Sequence, residues 1–150
     1  MWYDVSIGEH RAQQTAVVRG HVPHDGVGPF IGAAFHEVRD ALAGVGAHPT
    51  GPPFARYRVV DDGFDIEAGV PVPTAVATHG RVEASELPGG LIASTVHVGS
   101  YAGISAAFAA VESWLAGSSY MVDGDPWETY LDGPEVAEPR TLVCFPCRSS

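Results

Sequence analysis

Two stretches of the chain carry apolar residues at helical spacing. Ile31, Ala34, Phe35, Val38, Leu42 and Val45 fall at i, i+3, i+4 and i+7, which predicts an amphipathic helix ended by Gly44 and Gly46. Ile104, Ala107, Phe108, Val111 and Leu115 follow the same spacing, closed by Gly117. Both stripes are predicted core, because burying such a stripe is what stabilises a helix this short. Elsewhere the period is two. Tyr3 to Ile7 and Ala12 to Gly20 precede the first helix as strands, and Phe54 to Val60 and Phe64 to Ala68 follow it across the turn signal Asp61-Asp62-Gly63. Gly80 to Leu87, a Pro88-Gly89-Gly90 turn and Leu91 to Val98 precede the second helix. Trp127 to Leu131 and Arg140 to Phe145 come after it.

The order is therefore ββαββ, twice, and the residues repeat as well. Ile31 to Leu42 and Ile104 to Leu115 are identical at six of twelve positions, at an offset of 73. The same offset aligns Gly51, Pro53 and Tyr57 with Gly124, Pro126 and Tyr130, and sets Phe54 against Trp127. Upstream, Gly20 aligns with Gly99, so the first half holds six extra residues in the stretch His21 to Gly28. These patterns predict one α+β domain over 1–150 made of two pseudo-symmetric repeats, about 1–73 and 78–147. Short links between consecutive strands predict an antiparallel sheet with two helices on one face, leaving the other face open and concave.

Composition narrows the function. Eighteen acids against eight bases give a net charge of −10, and all eight bases are Arg. Nucleic-acid binding needs a basic patch to displace counterions, and scattered Arg do not supply one. An anionic membrane surface is disfavoured for the same reason. A cationic partner is favoured. No window is long and apolar enough for a membrane span, and Met1-Trp2-Tyr3-Asp4 lacks the basic start of a signal peptide, so the chain is expected in the cytoplasm. Cys144 and Cys147 form a lone CxxC after a strand-like run, and read as two ordinary thiols. Seven His lack metal-site spacing and read as loop and surface residues, so no metal and no cofactor are expected. There is no nucleophile elbow and no phosphate-binding loop.

One strand carries the candidate chemistry. In Trp127-Glu128-Thr129-Tyr130-Leu131, alternation puts Glu128 and Tyr130 on one face and Trp127, Thr129 and Leu131 on the other. If the Trp127 face packs under the helices, Glu128 and Tyr130 point to the open side, as do Ala55 and Tyr57 in the first repeat. A carboxylate between tyrosine rings is a receptor for an organic cation, the rings through cation–π attraction and the carboxylate through charge. The alternative is an exposed Glu128 beside core tyrosines whose hydroxyls are satisfied.

Four motifs in register resemble the GyrI-like small-molecule-binding domain, which is also the effector-binding domain of AraC-type and MerR-type multidrug regulators. They are Gly51 to Tyr57, Ile66 to Val72, His97-Val98-Gly99-Ser100-Tyr101 and Trp127 to Pro134. The resemblance runs from Tyr3 to about Pro146. It implies two strand–helix–strand–strand modules side by side with a central ligand cleft. It also implies ligand-binding roles for Glu128, Tyr130, Tyr57 and Tyr101, with Trp127 packing or edging the cleft. The first repeat departs from the family pattern, since Arg19-Gly20-His21-Val22-Pro23 lacks the Tyr that commonly follows there.

Three functions of different classes fit these residues. The first is a stand-alone binding protein for hydrophobic or cationic small molecules, sequestering or sensing a drug or metabolite. The second is a hydrolase opening strained or electrophilic, cyclopropane-bearing natural products, with Glu128 and Tyr130 catalytic. The third is an acidic interaction module for gyrase or a regulator, through Asp61-Asp62 and the run Glu135 to Glu138. A monomer or a homodimer serves all three.

Overall fold

The computed structural model of the chain describes residues 2–150. Among them are nine strands and two α-helices. The order is β1 (Ser6–His10), β2 (Gln13–Val22), α1 (Val27–Gly44), β3 (Phe54–Val60), β4 (Gly63–Pro71), β5 (Val82–Leu87), β6 (Gly90–Val98), α2 (Ile104–Ala116), β7 (Tyr120–Val122), β8 (Trp127–Tyr130) and β9 (Arg140–Ser149). A 3-10 turn, Tyr101–Gly103, leads into α2. The fold is α+β, built on two strand–helix–strand–strand modules, β2-α1-β3-β4 and β6-α2-β8-β9.

Two compact units result, Ala12–Leu87 and the segment up to Arg11 together with Pro88–Ser150. They do not follow the sequence repeats. The leading strand of each repeat is exchanged: β1 pairs with β6, and β5 pairs with β2. Every ladder within the units is antiparallel. The first unit runs β3-β4-β2-β5, and the second runs β1-β6-β9-β8 with β7 also on β9. The first half has the expected ββαββ order and the second adds the short strand β7 after α2, and the strand that completes each sheet comes from the other repeat.

In the Ala12–Leu87 unit, α1 buries Ala34, Val38 and Leu42 and packs on β2 and β4. It has no side-chain N-cap bond, no acid in its first turn and no base in its last. A cap is worth about 1 kcal/mol, whereas each fully buried Val or Leu contributes about 1.5–3 kcal/mol, so packing holds this helix. Its end is well made. Gly46 takes φ +68°, and the N–H groups of Gly46 and Ala47 donate to the carbonyls of Ala43 and Leu42, the two bonds of a Schellman ending.

In the other unit, Ala107, Val111 and Leu115 of α2 pack with Ala93, Val143, Phe145 and Cys147. Odd-numbered positions of β6 and β9 thus face the helix, and Ile7 of β1 packs beside them. No helix among the described residues is long and apolar enough to cross a membrane.

Candidate functional site

The β8–β9 register decides where the candidate side chains point. Trp127 lies opposite Cys144, Glu128 opposite Val143 and Tyr130 opposite Thr141. Residues directly opposed in an antiparallel pair share a face, and Val143 packs with α2. Glu128 and Tyr130 therefore lie on the helix side of the sheet, not on the far side expected from burying Trp127 under the helices. The physical reason is that the far face is also buried here. Trp127 and Cys144 are both enclosed on it, so the indole leaves water without help from α2. The Ala12–Leu87 unit repeats the arrangement: Tyr57 lies opposite Ile66 and Ala55 opposite Ala68, all on the side of α1.

Glu128 is 8% exposed. Its Oε2 accepts a hydrogen bond from the Tyr130 hydroxyl at 2.6 Å, the length of a charge-assisted bond. Tyr101, from the turn before α2, meets Tyr130 edge-on, ring centroids 5.7 Å apart and planes at 80°. Burial raises the Tyr101 hydroxyl above its ordinary value, and the negative charges of Glu128, Asp132 and Glu135 raise it further. The corner thus resists a second negative charge and favours a positive one. Asp132 is held below the usual carboxylate range by Arg140, whose Nε, at 2.8 Å, and backbone N–H both donate to it.

Within one unit, the structure sets Glu128, Tyr130 and Tyr101 side by side. Trp127 shares the strand but points to the opposite face. Tyr57 belongs to the other unit, where it meets Phe64 edge-on at 5.9 Å. Its strand neighbour Ala55, fully buried, occupies the place that Glu128 takes in β8, so only one module carries the carboxylate.

Sequence reasoning missed His97. It is 2% exposed, whereas the other six histidines lie on the surface. The alternation of Leu91, Ala93, Thr95 and His97 was the available signal, since it puts His97 on the buried face. Among the described residues, no cluster of His, Cys, Asp and Glu could hold a metal ion. Cys144 and Cys147 are free and buried. Three residues apart on one strand, they face opposite sides and cannot pair.

Residues 3–148 match the model of the GyrI-like small molecule binding domain. The chain belongs to the GyrI-like family. Solved structures with this fold include the C-terminal domain of EcmrR, at 20% identity and a TM-score of 0.79, with each chain covered completely. The EcmrR–DNA complex matches at 20% identity and a TM-score of 0.86 over 99% of this chain. There the GyrI-like chain spans only 58% of the EcmrR chain. SAV2435, solved bound to tetraphenylphosphonium, matches at 8% identity and a TM-score of 0.62, over 97% of this chain and 94% of its own. A hydrolase from Listeria innocua matches at 12% identity and a TM-score of 0.70, over 96% and 91%. No curated protein sequence matches.

Proposed function

We propose that this GyrI-like chain captures hydrophobic organic cations at the corner formed by Glu128, Tyr130 and Tyr101. The observation that carries the reading is the buried Glu128 carboxylate, hydrogen-bonded by one tyrosine that a second tyrosine meets edge-on. A carboxylate held out of water attracts a cation more strongly than one in water. Tyrosine faces add cation–π attraction without the desolvation cost of a second charge. The acids Asp132 and Glu135 near Tyr101 extend the same negative potential. The tetraphenylphosphonium bound to SAV2435, which shares the fold, supports the choice of ligand class.

Calorimetric titration with tetraphenylphosphonium tests the reading, comparing the natural chain with Glu128→Gln. Two unit charges about 6 Å apart at an effective dielectric of about 20 attract by roughly 2.8 kcal/mol, or about 100-fold in affinity. Solvent screening at a part-open corner reduces this, so the substitution should weaken binding about 10- to 100-fold. Unchanged affinity would remove Glu128 from the ligand site. The sequence also assigns Tyr57 to the ligand, and Tyr57→Ala in the same titration tests that assignment separately.

A hydrolytic reading has one observation in its favour. The Tyr130 hydroxyl donating to Glu128 at 2.6 Å sets a carboxylate and a phenol side by side, a pair able to orient water and polarise a substrate. Incubation with a cyclopropane-bearing electrophile and a search for the water-added product by mass spectrometry separates this reading from simple capture.

A further inference from the structure

His97 sits near the end of β6 with both ring nitrogens partnered. Nε2 lies 2.8 Å from the carbonyl oxygen of Ser100, and Nδ1 lies 2.8 Å from the Tyr3 hydroxyl. A carbonyl only accepts, so Nε2 carries the hydrogen and Nδ1 of the neutral ring accepts from Tyr3. The Ser100 carbonyl also accepts the N–H of Gly103 at 3.1 Å, while the Ser100 hydroxyl accepts from Ala102 N–H. The turn that presents Tyr101 is therefore tied to the sheet through the His97 imidazole.

The ladders show why an imidazole stands there. Tyr130, Thr141 and His97 form one cross-strand row over β8, β9 and β6. The matching row in the Ala12–Leu87 unit is Tyr57, Ile66 and Gly20. The structural partner of Gly20 is thus His97, two residues before the Gly99 suggested by the sequence repeat. Gly20 has no side chain because a ring already fills its space: a Cβ there would lie 2.5 Å from Cε2 of Phe30. At the repeat offset of 73, Phe30 corresponds to Gly103, where a Cβ would lie 3.3 Å from Cε1 of His97. Ring and glycine have changed places between the modules. In one, a helix phenylalanine fills the gap over a strand glycine. In the other, a strand histidine fills it under a glycine at the helix start. Phenylalanine only fills space, whereas the imidazole also binds the Ser100 carbonyl.

We infer that His97 is a positioning residue for ligand capture, holding Tyr101 edge-on to Tyr130 through the Ser100 carbonyl without touching the ligand. This rests on the cation-capture reading above and goes beyond it. The test uses the full chain, tetraphenylphosphonium as probe, and His97→Asn and His97→Gln. A glutamine amide reaches the place of Nε2 and keeps the donor to Ser100, whereas an asparagine amide reaches only the place of Nδ1. Losing one such bond is worth about tenfold. His97→Asn should therefore weaken binding about tenfold and His97→Gln less than about threefold. The loss in His97→Asn should disappear when Tyr101→Ala is already present, because coupled residues are not additive.

Weakening by His97→Asn that persists at full size in the Tyr101→Ala background overturns the inference, as does unchanged affinity in His97→Asn while Glu128→Gln has lost binding. Unchanged affinity in Glu128→Gln instead overturns the cation reading itself. Should His97→Asn fail to fold, Tyr3→Phe decides, since it removes only the hydroxyl that orients the ring. Weaker binding that depends on Tyr101 supports the inference, and affinity equal to that of the natural chain overturns it.

Discussion

Glu67→Ala should be one of the more damaging substitutions in the Ala12–Leu87 unit. Glu67 lies on the face of its sheet opposite α1 and is only 9% exposed. Its Oε2 accepts from Arg19 Nε at 3.0 Å, and its Oε1 accepts from Arg56 at 2.8 Å and from the Ser85 hydroxyl at 2.8 Å. Arg19 also bonds Ser85 and Glu83, so four strands, β2, β3, β4 and β5, converge on one carboxylate. Removing one partner of a buried charge pair costs about 3–5 kcal/mol, because the remaining charge is left without compensation. Arg19 is half-exposed and keeps Glu83 and Ser85, whereas Arg56 is mostly covered. The loss should fall at the lower end, about 3 kcal/mol, or roughly 6–12 °C in Tm for a chain of this length. Glu67→Gln keeps the shape but presents an amide N–H to a guanidinium, and should lose about half as much. Urea unfolding followed by far-ultraviolet circular dichroism measures both, with an unchanged slope expected. Partly buried pairs are screened little, so most of the difference should survive about 1 M salt. A loss below about 1 kcal/mol, or one that vanishes in salt, would show that Glu67 behaves as a surface ion pair and would refute the reasoning.

Two further predictions concern titration. His21 is exposed between Asp62 and Asp65, each 3.0 Å away. Its hydrogen bond to Asp65 is the largest effect and, with the nearby carboxylate charges, raises its pKa against some desolvation. Asp65 is lowered, first by its bond to His21 and then by Arg58. The histidine's contribution is therefore complete below about pH 6.5 and lost as pH rises through its raised value. The aspartate's contribution is complete above about pH 3.9 and lost as pH falls through its lowered value. Proton NMR should place the His21 midpoint above about 6.5 and lower it in Asp65→Asn, with Asp62 still holding part of the rise, and a midpoint unmoved by that substitution would contradict the assignment. Burial pushes the Cys144 thiol up to about 12. Iodoacetamide at about pH 8 should therefore modify it only after unfolding, since the thiolate is the nucleophile. Rapid labelling of the folded chain at Cys144 would refute this.

What the sequence determined by itself was local. Helical spacing located α1 and α2, because an apolar stripe is a property of one segment. Alternation put Glu128 and Tyr130 on one face, and the hydrogen bond between them follows from it. The repeat identified Ala55 as the uncharged counterpart of Glu128. Tertiary structure alone decided the rest. The side of the sheet that Glu128 faces depends on the register of β8 with β9 and on where α2 docks, and a shift of one residue would reverse it. The exchange of β1 and β5 between the repeats is a choice among ladder partners far apart in the chain, and the alternation within each strand does not encode it. His97 becomes a buried, bonded residue because Tyr3, 94 positions away, meets it. Glu67 becomes a junction only when β2, β3 and β5 bring Arg19, Arg56 and Ser85 to it. Pairings of this kind are decided by which strands share a ladder, and that is settled only when the whole chain packs.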